Sequence, residues 1–480
     1  MTNRSGLTVI AVAIAVATLS AQPQRAARSA SAEAATAKRF AAIRSDPPAL
    51  LAFLREMPKG GDLHNHLSGS IYAESYLRWA ADDNQCVSIA TMTIVAGACD
   101  AATGQPAAAA VLQNSILFNQ AIDSMSMRHW NPALNGHDHF FAAFGKFGPA
   151  SGKTGEMLAD LSSRAAADRV SYLEVMLTPA GSTASQLADT VGWNANLAEL
   201  REKLLAAGLR DKALAEAKGR LDAAEARERE LLRCGTPQAD AGCTITVRYI
   251  AQVARAAAPA LVFAQMLAGF ELAAVEPRLV SLNLVQPEDD PTAVRDFALQ
   301  MSMLDFLHRQ YPNVPITLHA GELTEGLVPP PVLTHHIRQS IVGGHASRIG
   351  HGVSVMAEDD PFALLRDMAA KRVLVEIALT SNDQILGVKG KRHPLRTYLQ
   401  HGVPVAIATD DMGVARSTHT HEFLKAVEEH DLDYATLKRL VRNSIEYAFA
   451  DAATKARLKS DLETALTAFE RRQAARLPKS

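Results

Sequence analysis

The 480 residues carry 49 Lys and Arg against 51 Asp and Glu, with 48% hydrophobic and 21% charged positions. That is the usage of a folded globular protein. No block of basic residues interleaved with aromatics occurs, which excludes a nucleic acid polymer as the expected partner, because phosphate neutralisation needs such a surface. A small molecule is expected instead. The length suits two average domains or one barrel with insertions.

Arg4 precedes the apolar run Leu7–Leu19, and Ser20-Ala21-Gln22-Pro23 follows it. A basic start, a short apolar core and a small-residue exit describe a signal peptide over residues 1–21, with Leu19 at −3 of a cut after Ala21. The alternative is a retained anchor, although the run is short for a membrane span. The expected mature protein is exported, periplasmic or extracellular, with no membrane span. Residues 22–57 read as a linker and a helical segment, Ala37–Met57, which Pro47-Pro48 divides in two. Pro58-Lys59-Gly60-Gly61 breaks the chain before a first strand, Asp62–Leu67. A helix follows at Ile71–Ala81, and Cys86–Cys99 encloses β-branched runs that read as a hairpin excursion.

Short apolar strands then alternate with helices: Val170–Leu177, Thr244–Ile250, Leu279–Leu284, Ile316–Leu318, Arg348–Gly350, Val373–Ile377 and Val405–Thr409. With the first strand they make eight. The pattern predicts an α/β protein, a TIM-type (β/α)8 barrel over residues 58–450 with N-terminal helices, insertions at about 84–110 and 198–243, and a C-terminal helix over 451–480. Ala198–Arg233, with Gly208 and Gly219 as its breakers, reads as a helical insertion between the second and third strands. Its mixed charges describe a solvated face, and its apolar stripe offers a homodimer contact. Cys86, Cys99, Cys234 and Cys243 form no C-x-x-C, which argues against a cysteine zinc knuckle. Of the three connectivities, Cys86–Cys99 with Cys234–Cys243 is preferred. Such pairing fits an oxidising compartment.

Chemistry collects at the strand ends. His64-Asn65-His66 ends the first strand, where positions i and i+2 face the same way and both imidazoles can approach one ion. Thr317-Leu318-His319-Ala320-Gly321-Glu322 delivers a histidine and, three residues on, a glutamate able to move protons; Gly321 permits the tight turn between them. His351 ends the sixth strand. Asp410-Asp411 follows the last one, two adjacent carboxylates that repel unless a cation or a shared proton compensates. His64, His66, His319 and Asp410 form an N/O ligand set suited to one Zn2+ with an open position. His419-Thr420-His421 is set aside because it opens a helix, where i and i+2 diverge. His335-His336, His345 and His401 read as structural or surface residues.

The order His64-x-His66, His319-Ala320-Gly321-Glu322, Gly350-His351-Gly352, Thr380-Ser381-Asn382 and Thr409-Asp410-Asp411 resembles the adenosine deaminase family of metal-dependent amidohydrolases. Export and the insertions are similar to its secreted, growth-factor-type branch. The resemblance implies His64, His66, His319 and Asp410 as zinc ligands, Glu322 as proton donor to purine N1, His351 as the group that orients the nucleophile, and Asp411 as the N7 contact. It also implies a purine nucleoside substrate, adenosine or 2′-deoxyadenosine going to the inosine form and ammonia. The chain departs from the family at substrate contacts. Ser68 stands where nucleoside enzymes place an Asp for the ribose 5′-hydroxyl. Gln286 stands where a Gly presents its N–H to purine N3, and Met412 replaces a Pro. A modified or 5′-substituted 6-aminopurine nucleoside is therefore the alternative substrate. An exported nucleoside-binding or signalling protein with incidental catalysis is the alternative from another class.

Overall fold

A computed structural model describes residues 31–131 and 136–476; the apolar run and cut expected within residues 1–21 lie outside the described residues. Eight parallel strands form the centre. They are β1 (Gly60–His66), β2 (Val170–Leu177), β3 (Thr246–Ala254), β4 (Leu279–Val285), β5 (Thr317–Ala320), β6 (Arg348–His351), β7 (Leu374–Ile377) and β8 (Val405–Ile407). Two four-stranded sheets, β1-β2-β3-β4 and β5-β6-β7-β8, curl toward each other. Single parallel bridges join them at both seams, Leu282 to Ile316 and Asn65 to Asp410. All eight predicted strands are present. The third starts two residues later than expected, because Ala241–Thr244 winds as a 3-10 turn. The eighth ends at Ile407, short of Thr409.

Most strand positions are buried from both sides, and all seven residues of β1 are, as a parallel sheet wrapped by helices requires. Proline opens the helices Pro259–Val275, Pro291–Gln310 and Pro361–Lys371, with the Asp290 and Asp360 carboxylates capping the last two. The expected break at Pro47-Pro48 divides a helix over 31–43 from Pro47–Glu56, whose first turn Asp46 caps. Both disulfides pair as expected: Cys86–Cys99 ties the hairpin Cys86–Ser88 with Thr93–Val95, and Cys234–Cys243 precedes β3. Among the described residues no helix is long and apolar enough to cross a membrane.

The segment read as a helical insertion lies between β2 and β3 and is helical, as expected. Gly208, at φ +88°, separates Leu197–Ala206 from Leu209–Leu231, while Gly219 does not interrupt the second helix. Leu209, Ala213, Ala217, Leu221 and Ala224 repeat every three or four residues and are buried, packed toward the helices Thr154–Ala167 and Pro259–Val275. Leu209–Leu231 thus packs onto the helices that flank β2 and β3. Its apolar stripe is used within the chain, not held out to a second copy.

Candidate active site

The C-terminal ends of β1, β5 and β8 converge. β1 turns His64 and His66 to the same face, β5 presents His319, and Asp410 follows β8 at the seam with β1. Asp410 holds φ +56°; its N–H donates to the His64 carbonyl at 2.9 Å, and its own carbonyl accepts from the His66 N–H at 3.3 Å. Gly350 leaves the room these rings need, since a Cβ there would lie 2.6 Å from His64 Cε1. His319 Nε2 sits 3.0 Å from His64 Nε2 and 3.2 Å from His66 Nε2. Asp410 Oδ1 lies 3.4 and 3.3 Å from those two nitrogens. Three imidazole nitrogens and a carboxylate, all buried and this close, need a shared positive charge to balance their lone pairs. The four fit one metal ion.

Outer contacts aim these rings. His64 Nδ1 donates to Glu376 Oε2 at 2.7 Å, and His319 Nδ1 donates to Asn283 Oδ1 at 2.9 Å, so both turn an Nε2 lone pair inward. The Gln252 amide lies 3.0 Å from His66 Nδ1. Glu376 is itself held by the Thr317 hydroxyl at 2.9 Å and by Arg348 Nε at 2.6 Å. Arg348 also pairs with Glu174 at 2.6 Å and lies 3.7 Å over the Phe449 ring. Burial alone would lower His64, but Asp410 and Glu376 overcome it and raise its pKa to about 10. The cluster favours a cation at its centre.

Glu322, His351 and Asp411 stand around this cluster. Each is buried and each keeps one polar atom without a hydrogen bond to protein, Glu322 Oε1, His351 Nε2 and Asp411 Oδ1, although Glu322 Oε1 lies 3.4 Å from His351 Nδ1. A Glu322 oxygen, a His351 ring nitrogen and an Asp410 oxygen lie within 4.8 Å of one another. Burial, then the nearby charge of Asp410, pushes both Glu322 and Asp411 well above the usual carboxyl range. Glu288 fixes the backbone under Glu322: it accepts the N–H groups of Gly321 and Glu322 at 3.1 and 2.8 Å, and His336 Nδ1 at 2.7 Å. Asp411 packs against Gly69, where a Cβ would fall 1.6 Å from Oδ1.

Glu322 and Asp411 line a cavity of about 340 Å³ with His66, His319 and Asp410. Phe140, Phe141 and Phe144, from the helix Gly136–Phe147, form an apolar wall. Ser68 and Gln286 line it too. Gln286 adopts φ +81°, a left-handed conformation that glycine takes freely, and its Oε1 accepts the Ala256 N–H at 3.0 Å. The structure therefore brings every expected site residue to one end of the barrel. It keeps His421 out, on the helix His419–His430. His336, read as structural or surface, is structural, stacked on Phe297 at 3.9 Å. Sequence reasoning missed Glu376, Asn283, Gln252, Glu288 and the three phenylalanines. Only Glu376, a lone carboxylate inside an apolar strand, carried a readable signal.

Comparison with known proteins follows the same lines. Residues 158–465 match the adenosine deaminase family model. An adenosine deaminase of Enterococcus faecalis is 32% identical over 154 residues, 32% of this chain and 42% of that protein. An aminodeoxyfutalosine deaminase of Streptomyces coelicolor is 32% identical over 152 residues, 32% of this chain and 36% of that protein. The chain thus spans about two fifths of the length of the curated relatives it matches. The crystal structure of an Arabidopsis N6-mAMP deaminase shares the fold, with a TM-score of 0.55 at 18% identity, covering 86% of this chain and 99% of that one.

Proposed function

The chain belongs to the adenosine deaminase family, and on that premise we propose that it hydrolyses the 6-amino group of adenosine or 2′-deoxyadenosine, releasing ammonia and the inosine form. One observation carries the reading: a four-group metal cluster shares its cavity with two carboxyls whose pKa values burial raises. His64, His66, His319 and Asp410 would hold a single zinc ion. When bound there, the metal supplies Lewis acidity that makes water nucleophilic near neutral pH.

The remaining steps belong to side chains. Glu322 gives its proton to purine N1, which draws electron density from C6 and stabilises the charge that addition creates. His351 Nε2 orients the incoming oxygen. Purine N7 is an acceptor, so Asp411 would have to donate to it from its protonated form, which burial favours. Phe140, Phe141 and Phe144 cover the base and exclude bulk water. Gln286, its side chain turned toward Ala256, leaves its own N–H for N3.

A specific feature favours a second substrate reading. A further cavity of about 160 Å³ shares Ser68 and Gln252 with the first and continues past them to Met157, Thr178 and Arg220. A nucleoside with an extra group on its sugar, at the 5′ position that the family resemblance assigns to the residue at Ser68, would have room there. The two relatives above are equally identical to this chain and bear different substrates in their names, so identity does not choose. The two disulfides support an exported, periplasmic or extracellular protein, and with the hairpin excursion they support the secreted, growth-factor-type branch. One catalytic barrel over 58–450 accounts for the chemistry.

The test is the ultraviolet spectrum of adenosine, 2′-deoxyadenosine and 5′-substituted adenosines incubated with zinc-loaded protein. Conversion of adenosine to inosine supports the leading reading. Conversion of the substituted compounds alone moves the substrate to the second, and silence toward all of them overturns both. Should Glu322→Gln leave a biological effect intact, the binding or signalling reading takes over.

A further inference from the structure

A catalytic histidine works through whichever ring nitrogen carries its proton, and a buried chain of hydrogen bonds decides this for His351. The chain begins at a group with no freedom, the backbone N–H of Leu395, the first residue of the helix Leu395–Gln400. This N–H has no partner inside its own helix. It donates to His393 Nδ1 at 3.2 Å, so that nitrogen is an acceptor. His393 is buried, and burial, then the neighbouring His430, holds its pKa down to about 3. A neutral ring with Nδ1 accepting carries its proton on Nε2. Nε2 lies 3.1 Å from Asn382 Oδ1 and donates to it. The amide is thereby oriented, and its Nδ2 donates to His351 Nδ1 at 2.9 Å. Glu322 Oε1 also faces His351 Nδ1, at 3.4 Å, but makes no hydrogen bond to it; with the closer Asn382 amide donating, His351 Nδ1 accepts and its proton sits on Nε2, which has no hydrogen bond to protein.

We propose that His393 and Asn382 are positioning residues that fix His351 as the Nε2–H tautomer, so that it meets the reacting oxygen as a hydrogen-bond donor. The proton assignment rests on the hydrogen bonds alone; its use in catalysis rests on the deaminase reading above. The geometry of the cluster supports a dedicated role. Asn382 sits on the helix Leu379–Leu386, His393 eleven residues later, and all three polar side chains are buried where an unpaired amide would be costly.

Asn382→Asp is the discriminating variant, because a carboxylate has the same shape but only accepts. It would take hydrogen bonds from both imidazoles and move the His351 proton to Nδ1. Nitrogen-15 spectra of histidine-labelled, metal-free protein read the tautomer directly, with His351→Gln identifying the resonances. The expected result is Nε2–H in the wild type and Nδ1–H in Asn382→Asp. In zinc-loaded enzyme kcat should then fall by roughly 10²-fold with KM and zinc content unchanged. His393→Gln, whose amide still donates to Asn382, should keep most of kcat, whereas His393→Phe should lose it. Nδ1–H on His351 in the wild type overturns the proposal, and that spectrum needs no variant to fold. An unchanged tautomer or kcat in well-folded Asn382→Asp overturns it too. Wild-type protein with the Nε2–H tautomer but no activity on any purine nucleoside would sink the deaminase reading and leave the proton assignment standing.

Discussion

Gly69→Ala tests how tightly Asp411 is held. The added Cβ would sit 1.6 Å from Asp411 Oδ1, 2.4 Å from Cγ and 2.7 Å from Cβ, where ordinary contact begins near 3.4 Å. Rotating the carboxyl away does not relieve the clash, because even the Asp411 Cβ is too close. Nor can Gly69 retreat, since its carbonyl accepts the Gly413 and Val414 N–H groups at 2.9 and 3.0 Å. The carboxyl oxygen must move by nearly 2 Å, and a misplacement of about 1 Å at a reacting centre costs on the order of 10²-fold in rate. Overpacking a buried site costs about 1–3 kcal/mol. The expected outcome is a loss of about 10²-fold or more in kcat/KM for adenosine, with bound zinc retained because no ligand side chain meets the new methyl directly. Steady-state kinetics, metal analysis and a denaturant melt on the same preparation separate the effects. A Gly69→Ala enzyme with wild-type kcat/KM and stability would refute the packing argument and the role of Asp411 together.

Other outcomes follow from the same geometry. Glu322→Gln keeps the shape of the side chain but removes its acidic proton, so kcat should fall by about 10²–10⁴-fold with zinc content unchanged. Titrating chelated protein with zinc should restore activity at one equivalent per chain and raise the melting temperature, as expected for a ligand that binds only the folded state; His319→Ala should abolish both responses. Burial pushes the Glu358 carboxyl from its ordinary 4.5 up to about 7. The folded state then holds this proton more tightly than the unfolded chain, so its stabilisation is complete below about pH 4.5 and lost as pH rises through 7. Against Glu358→Gln, the wild type should lose up to about 3 kcal/mol between pH 4.5 and 8, read by urea melts at each pH. A gap that widens in the opposite direction would contradict this assignment.

Much of the site was legible because its ligands end short apolar strands, and a strand end is a local pattern. His64 and His66 needed only the two-residue period, and Asp410-Asp411 only the improbability of adjacent carboxylates after an apolar run. Glu376 was not legible in the same way: it lies 312 residues from His64, and nothing local says which histidine it will meet. Gln286 hid a backbone feature, a positive φ in a residue that does not advertise one. The buried stripe of the helix Leu209–Leu231 was hard to read because alanine fills most of its inner face. Alanine allows close packing against neighbouring helices but gives a faint apolar signal amid so many charges. The relay through Asn382 and His393 was half visible, as a motif without its partner.

The seam between β1 and β8 has a consequence for biogenesis. His64 and His66 arrive with the first strand, His319 with the fifth and Asp410 only after the eighth, where the bridge from Asn65 to Asp410 joins the two sheets. A nascent chain that has not yet exposed residue 410 therefore owns three imidazoles without their carboxylate ligand, on sheets joined only at the Leu282–Ile316 seam. Full metal capture must wait for nearly the last contact the barrel makes, a closure of high sequence separation and hence slow. Metal retention becomes a readout of finished folding, and a truncated or stalled product is left without its ion.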